Sequence, residues 1–419
     1  MFGAALEAVS PTRLLRAALL APGSLPDAGP SCSLRLLAIG KAAPWLASAC
    51  VELLPGRVNG GLVVGTHCPI ALPAGLEWRQ ASHPVPDARS VSAAEAALAL
   101  AGALRPDEHL LVLISGGASA LVALPRPEIT LDDKRETTRI LLRAGADITA
   151  LNTVRKHLSS IKGGQLGVAA GGATALAVSD VVGDDLGVIA SGPTVPDPTT
   201  FADALRVLQG YGGPGAYPPA VVACLQRGAA GAVEETPKPG DPRLRHVRTS
   251  VVGSGRDAAR GAADEAAARG YEVAVLPDAL VGEARRAGRF LVEEGQRLAR
   301  RLRRPACIIA FGETTVHVVG EGKGGRNQEL ALGAALALDE AGIRGAVLSG
   351  GTDGVDGPTD AAGAIADTDT LRRARERHLD PLDVFARNDA YPFFVALGDL
   401  LITGPTPTNV GDVQILLLD

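Results

Sequence analysis

The segment "FGETTVHVVGEGKGGRNQELALGAAL", Phe311 to Leu336, sets Lys323 and Arg326 among glycines. It lies between an alternating β-branched run and a run of helix formers. Thr314–Val319 reads as a strand, Gln328–Leu338 as a helix and Asn327 as its N-cap. A helix N-terminus offers unpaired N–H groups and partial positive charge, and two cationic side chains beside it add full charges. Such a place suits an anion.

Other residues of chemical character fall in comparable settings. Lys41 in "AIGKAA" follows an apolar run and a glycine, where its charge could meet a phosphoryl oxygen. "SGGAS" supplies Ser115, Gly116, Gly117 and Ser119, either as an anion cradle of backbone N–H groups or as a tight turn with a serine cap. Asp180 in "SDVVGDD" directly follows an apolar strand, where an acid could act as general base or metal ligand, whereas Asp184 and Asp185 read as caps. In "NTVRKHLSSIKGGQL", Asn152, Arg155 and Lys156 can share one side of a helix, with His157 expected on a solvated face. "SGGTDGVDGPTD" carries Gly350, Gly351 and Thr352, then Asp353, Asp356 and Asp360. Its carboxylates either hold Mg²⁺ through water or cap the turns of their own loop. Only six lysines occur (Lys41, Lys134, Lys156, Lys162, Lys238 and Lys323) in a chain that otherwise uses arginine, which singles each of them out.

These residues need elements to hold them. Short apolar runs alternate with helical ones: Leu34–Ile39, "GGLVV", "HLLVLI" and Ala173–Val178 as strands, and Leu131–Arg143 and Asp147–Ile161 among the helices. The pattern predicts an α/β protein of two α/β domains with largely parallel sheets, the amino-terminal one Rossmann-like. Glu234–His246, with three prolines and no periodicity, is the linker candidate. The division expected is 1–240 and 241–419. In open parallel sheets ligands bind beyond the carboxyl ends of the strands, which is where "GKAA", "SGGAS", "SDVVGDD" and "SGGTDG" fall.

Composition narrows the ligand. The 419 residues carry a net charge of −5, with 46% hydrophobic and only 3% aromatic residues. Few aromatics leave few stacking platforms for single strands, and the missing basic run argues against duplexes, so no nucleic-acid partner is expected. No apolar run is long enough for a membrane span, and the amino-terminal "MFGAALEAVSPTRLLRAALLAPGS" reads as an amphipathic helix. The five cysteines lack CxxC spacing and suit a cytoplasmic setting. "GEGKGG" contains GxGxxG at Gly320, Gly322 and Gly325 but lacks the acidic residue about twenty positions on, so it reads as an accident. No GxxxxGK[ST] is present.

The longer motifs, "GETTVHVVGEGKGGRNQELAL", "SGGTDGVDGPTDAAGA" and "NTVRKHLSSIKGGQL…SDVVGDDLGVIASGPTVPDP", resemble those of the two-part glycerate 2-kinase family with a MOFRL domain. "IGKAA", "SHPVPD", "SGGASAL" and "TGPTPTNVGD" follow in the family's order. Gln165, Gly255, Pro407 and Gly411 depart from its pattern. The resemblance implies a MOFRL segment at about 305–412 and an active site in an inter-domain cleft. It implies ATP-dependent phosphorylation of D-glycerate to 2-phosphoglycerate with Mg²⁺. Lys41, Asp180 and Arg326 would be catalytic. Ser115, Gly116, Gly117, Ser119, Asn152, Arg155, Lys156, Lys323, Gly350, Gly351 and Thr352 would contact substrate or nucleotide, and Asp353 and Asp356 the metal. Oligomeric state stays open, a homodimer included. The competing readings are an NAD(P)H-dependent hydroxypyruvate reductase and a non-catalytic binder of a phosphorylated metabolite.

Overall fold

The structure is a computed structural model that describes residues 1–21, 25 and 33–419; Cys32 lies outside them. By contacts the chain divides into one unit of Leu15–Val252 and another of Met1–Leu14 with Gly253–Asp419. The linker candidate near residue 240 belongs to the first unit. Glu235 accepts the Phe201 N–H at 2.8 Å, and the Thr236 hydroxyl donates to Asp197 at 3.1 Å. Its proline-rich composition reflects a packed irregular segment, which periodicity cannot tell from a linker.

The first unit is built on β1 (Ser33–Ile39), β2 (Val58–Gly65), β3 (Leu76–Gln80), β4 (Glu108–Ile114), β5 (Ala173–Val178) and β6 (Val247–Gly253). They form an all-parallel sheet in the order β3-β2-β1-β4-β5-β6. This is the doubly wound dinucleotide-fold order, as the Rossmann-like expectation requires. Its apolar strands are unbroken because both faces are covered: every residue of β5 is buried. Order reverses between β1 and β4, so the loops after Ile39 and Ile114 open onto the crevice where such sheets bind ligands.

The second unit holds β7 (Glu272–Val275), β8 (Leu280–Glu283), β9 (Ala306–Thr315), β10 (Gly345–Gly351), β11 (Gly363–Asp367), β12 (Leu400–Leu401) and β13 (Asp412–Leu418). The order is β12-β11-β10-β13-β9-β7, with β8 also beside β9. β7 and β8 run parallel to β9, whereas β13 runs antiparallel to both β9 and β10. This sheet is therefore mixed. The inserted β13 brings its first residue level with the ends of two strands: Asp412 pairs with Gly312 of β9 and Gly351 of β10.

Two local expectations change. The strand expected at Thr314–Val319 is the tail of β9, which stops at Thr315, where pairing with Glu283 of β8 runs out. Beyond it Val318 and Val319 are exposed despite their β-branched character. The helix expected over Asp147–Ile161 ends at His157, where a chain of tertiary contacts takes over. The single amino-terminal helix is two, Phe2–Ala8 and Pro11–Leu19, separated at the proline, which cannot donate the N–H that a continuous helix needs. Among the described residues no helix is long and apolar enough to cross a membrane.

Candidate functional site

In the first unit the chemistry gathers at the carboxyl end of the parallel sheet. Gly40 takes φ +135° and leaves no space for a side chain: a Cβ there would lie 2.1 Å from Ser115 Oγ. The Ser115 hydroxyl accepts the Ala42 N–H at 3.1 Å, and the Lys41 N–H donates to the Gly116 carbonyl at 2.9 Å. Lys41 is thus fixed by the β4 loop at the switch point. Ser115 serves this turn, while the N–H groups of Gly116 and Gly117 donate to no described residue. His83 also lies here, against Gly117. Burial, then the Lys41 charge, lowers its pKa and favours the neutral ring. Asp180 follows β5 by two residues and is half-buried. Asp185 accepts the Gly187 N–H at 2.7 Å, as a turn cap does.

The helix Ile148–His157 sorts its polar residues differently from the sequence expectation. Lys156 is buried and paired with buried Asp197 at 3.4 Å, so its charge is spent inside the fold and not beside Arg155. His157 is wholly buried rather than solvated, bonding the Thr153 carbonyl through Nδ1 and meeting Phe201 edge-on at 4.8 Å. Asn152 accepts from Ser191 Oγ at 2.9 Å, and Ser191 meets Ser119 Oγ at 2.9 Å.

In the second unit, the first residue of helix Arg326–Ala341 stands beside the ends of β9 and β10 and the start of β13. Arg326 Nε and Nη2 grip Asp412 at 2.6 and 2.9 Å, and Nη1 reaches Glu313 at 2.8 Å. Asp412 is fully buried, while a third of the Arg326 side chain stays accessible. Burial would lower the Arg326 pKa, but the Asp412 hydrogen bonds and the acids around it raise it further, so the guanidinium is permanently charged and rigidly held.

A carboxyl group of the protein itself occupies this helix N-terminus. Asp356 accepts the Asn327 N–H at 3.0 Å and the Gln328 N–H at 2.9 Å. The helix begins at Arg326 with Gly325 as N-cap residue, not at Asn327, because Asp356 does the capping from a remote loop. Burial pushes the Asp356 carboxyl up to about 7, with Asp412 adding repulsion. Both its oxygens face N–H donors, which leaves it ill suited to a metal. Lys323 meets an aromatic ring. Its ammonium lies 4.2 Å from the Tyr391 ring centre.

The glycines of "GEGKGG" make room for the protein itself. A Cβ at Gly320 or Gly322 would meet the Arg387 carbonyl at 2.4 Å, and one at Gly325 the Asp356 carboxylate at 2.3 Å. No pyrophosphate approach is needed to explain them. Thr352 is buried, donating to the Gly411 carbonyl at 2.6 Å and accepting the Val410 N–H at 2.8 Å, which ties β10 to the carboxyl-terminal segment. Gly350 is hemmed in by Leu401 and Phe2, and Gly351 by Asp353 and Asp412. Among the described residues no three His, Cys, Asp or Glu side chains gather as a metal cage.

Sequence reasoning missed Glu313, Asp412 and His83 as site neighbours. Asp412 had a signal, an acid at the start of the apolar run "DVQILLL"; Glu313 and His83 lay inside motifs already singled out but had no distinguishing spacing.

A family model described as a domain of unknown function, DUF4147, matches residues 1–226, and the MOFRL family model matches 306–412. A protein of Thermotoga maritima named D-glycerate 2-kinase is 41% identical over 91% of this chain and 90% of its own length. A protein of Agrobacterium vitis, named only provisionally as a hydroxypyruvate reductase, is 43% identical over 90% of this chain and 86% of its own. The crystal structure of a glycerate kinase from Thermotoga maritima superposes with a TM-score of 0.87 at 39% identity, covering 100% of this chain and 97% of that one.

Proposed function

We propose, since this chain belongs to the two-part glycerate kinase family, that it transfers the γ-phosphoryl group of ATP to the 2-hydroxyl of D-glycerate. The observation that carries this reading is a likeness that runs through both units, not through a shared nucleotide fold alone.

In the reaction the 2-hydroxyl oxygen forms a bond to the γ-phosphorus while the bridging β–γ oxygen bond breaks. ADP departs, and the hydroxyl proton needs an acceptor. Such transfers depend on positioning and charge stabilisation more than on covalent catalysis. We assign Arg326 and Lys41 to the charge on the transferred group. Arg326 suits this role because Asp412 and Glu313 hold its planar fork in place without hiding it. Lys41 suits it because Gly40 and Gly116 fix its backbone at the switch point. The Gly116 and Gly117 N–H groups are assigned to phosphate oxygens and half-buried Asp180 to the hydroxyl proton. Mg²⁺, when bound, offsets the β- and γ-phosphate charge, and Asp353 is the carboxylate we assign to it.

The reductase reading requires a nicotinamide site, and the glycines that match a dinucleotide fingerprint are filled by Arg387 and Asp356. A phosphorus NMR spectrum of the product from D-glycerate, Mg²⁺ and ATP tests the proposal: a 2-phosphoglycerate resonance with ADP is expected. Oxidation of NADH by hydroxypyruvate without phosphorylation would overturn it.

A further inference from the structure

Of the six lysines, Lys134, Lys156 and Lys162 are buried in the first unit. Lys156 has Asp197 as its partner. Among the described residues Lys162 Nζ donates only to neutral oxygens, the Ser119 carbonyl at 2.9 Å, Ser119 Oγ at 3.2 Å and the Ala190 carbonyl at 3.2 Å. Among the described residues Lys134 Nζ has no hydrogen-bond partner. Arg155, half-buried one helical turn from Asn152, makes no hydrogen bond or ion pair with a described residue.

These three cations repel one another. Burial first, then the Arg155 charge, lowers the Lys134 pKa to about 7, and Lys162 is lowered well below its ordinary value by burial and by both neighbours. The acids on the same helices are occupied elsewhere: Asp132 with Arg135, Asp133 with Thr130, Glu136 with Arg139, and Asp147 with the Ala150 N–H. A relay from Lys162 through Ser119 and Ser191 to Asn152 Oδ1 fixes the orientation of the Asn152 amide. Its Nδ2 group is left buried without an acceptor among the described residues. Buried charges and amides without partners are costly, and a fold retains them when something from outside completes them.

We propose that Lys134, Asn152 and Arg155 form the subsite for the carboxylate of the acid acceptor, with Lys162 holding the relay that aims Asn152. This rests on the kinase reading. The donors are all side chains, and the guanidinium fork matches the two oxygens of a planar carboxylate. The backbone N–H groups assigned above to phosphate oxygens are those of Gly116 and Gly117.

The test uses the full chain with Lys134→Met and Arg155→Lys, read by steady-state kinetics, by calorimetric titration with D-glycerate in the absence of nucleotide, and by thermal melting. The KM for glycerate rises by about 10- to 100-fold in each variant, as loss of a charge-assisted contact gives, while the KM for ATP stays within about twofold. Glycerol, which lacks the carboxylate, gives no heat with the parent protein. Lys134→Met melts above the parent because an unpaired buried charge is gone, an outcome opposite to that for a lysine kept for packing. A rise in the KM for ATP with that for glycerate unchanged overturns the proposal and gives the cluster to the nucleotide. Unchanged constants with a lower melting temperature for Lys134→Met overturn it in favour of a structural role. Failure of the kinase reading is seen separately: the parent then turns over no glycerate, while calorimetric binding, and its loss in the variants, still decides the subsite.

Discussion

Replacing Asp356 by alanine removes both acceptors from the first turn of helix Arg326–Ala341 and leaves the Asn327 and Gln328 N–H groups buried. Each orphaned donor costs about 1–3 kcal/mol. Against this stands the cost of the carboxylate itself, whose pKa burial raises from 3.8 to about 7. A rise of that size corresponds to roughly 4 kcal/mol of penalty on the ionised form. Between pH 3.8 and 7 the folded chain holds a proton that the unfolded chain has released. The Asp356 contribution is therefore fully present below pH 3.8 and lost as pH rises to about 7. Asp356→Asn keeps one acceptor and has no charge to desolvate. The stability difference between parent and Asp356→Asn should move by about 3 kcal/mol in favour of asparagine between pH 5 and pH 8. Asp356→Ala should be destabilised most at pH 5. Trp45 and Trp78 both belong to the Leu15–Val252 unit, so tryptophan fluorescence does not follow this helix. Amide exchange measured on peptides from 326–341 does, combined with circular dichroism melts at each pH. A parent-minus-variant difference that is flat between pH 5 and 8, or full protection of the first turn in Asp356→Ala, would refute the reasoning.

Arg326→Ala should lower kcat by about 10²–10³, and Arg326→Lys should restore little, because a lysine cannot occupy Asp412 and Glu313 with one planar fork; steady-state ADP release reads both. Asp412→Asn releases the same fork, and we expect a fall of about 10-fold or more in kcat, as loss of orientation gives, with little change in the KM for ATP. Lys156→Met takes the cationic partner from buried Asp197, which Thr199 and Thr236 still bond, and should cost up to about 3–5 kcal/mol in a urea melt followed by tryptophan fluorescence; an unchanged midpoint would show that the pair carries no net stability.

Much of the first unit was legible along the chain. A strand buried on both faces must be apolar throughout, so Leu34–Ile39, "HLLVLI" and Ala173–Val178 stood out, and with them the loops carrying Lys41 and Ser115. The second unit was less so. Thr315 and Val316 differ little in sequence, yet only the first has a strand to pair with. The glycines around Lys323, read as a chance match to a dinucleotide fingerprint, serve contacts with Arg387 and Asp356. Three of the six lysines prove buried, which no motif foretold.

The sequence by itself determined the α/β alternation, the strand-end positions of the reactive loops, and the presence of positive charge where a helix begins. These are local properties, set by side-chain period and backbone preference over a few residues. Only the tertiary structure decided which charges are satisfied. Insertion of β13 between β9 and β10 delivers Asp412 to Arg326 across 86 positions of sequence. Asp356 fills the helix N-terminus from a loop 29 residues on. Lys134 and Arg155 are left with none among the described residues. Charge pairing depends on distances of a few ångströms between segments remote in the chain, and strand order, which no local pattern encodes, sets those distances.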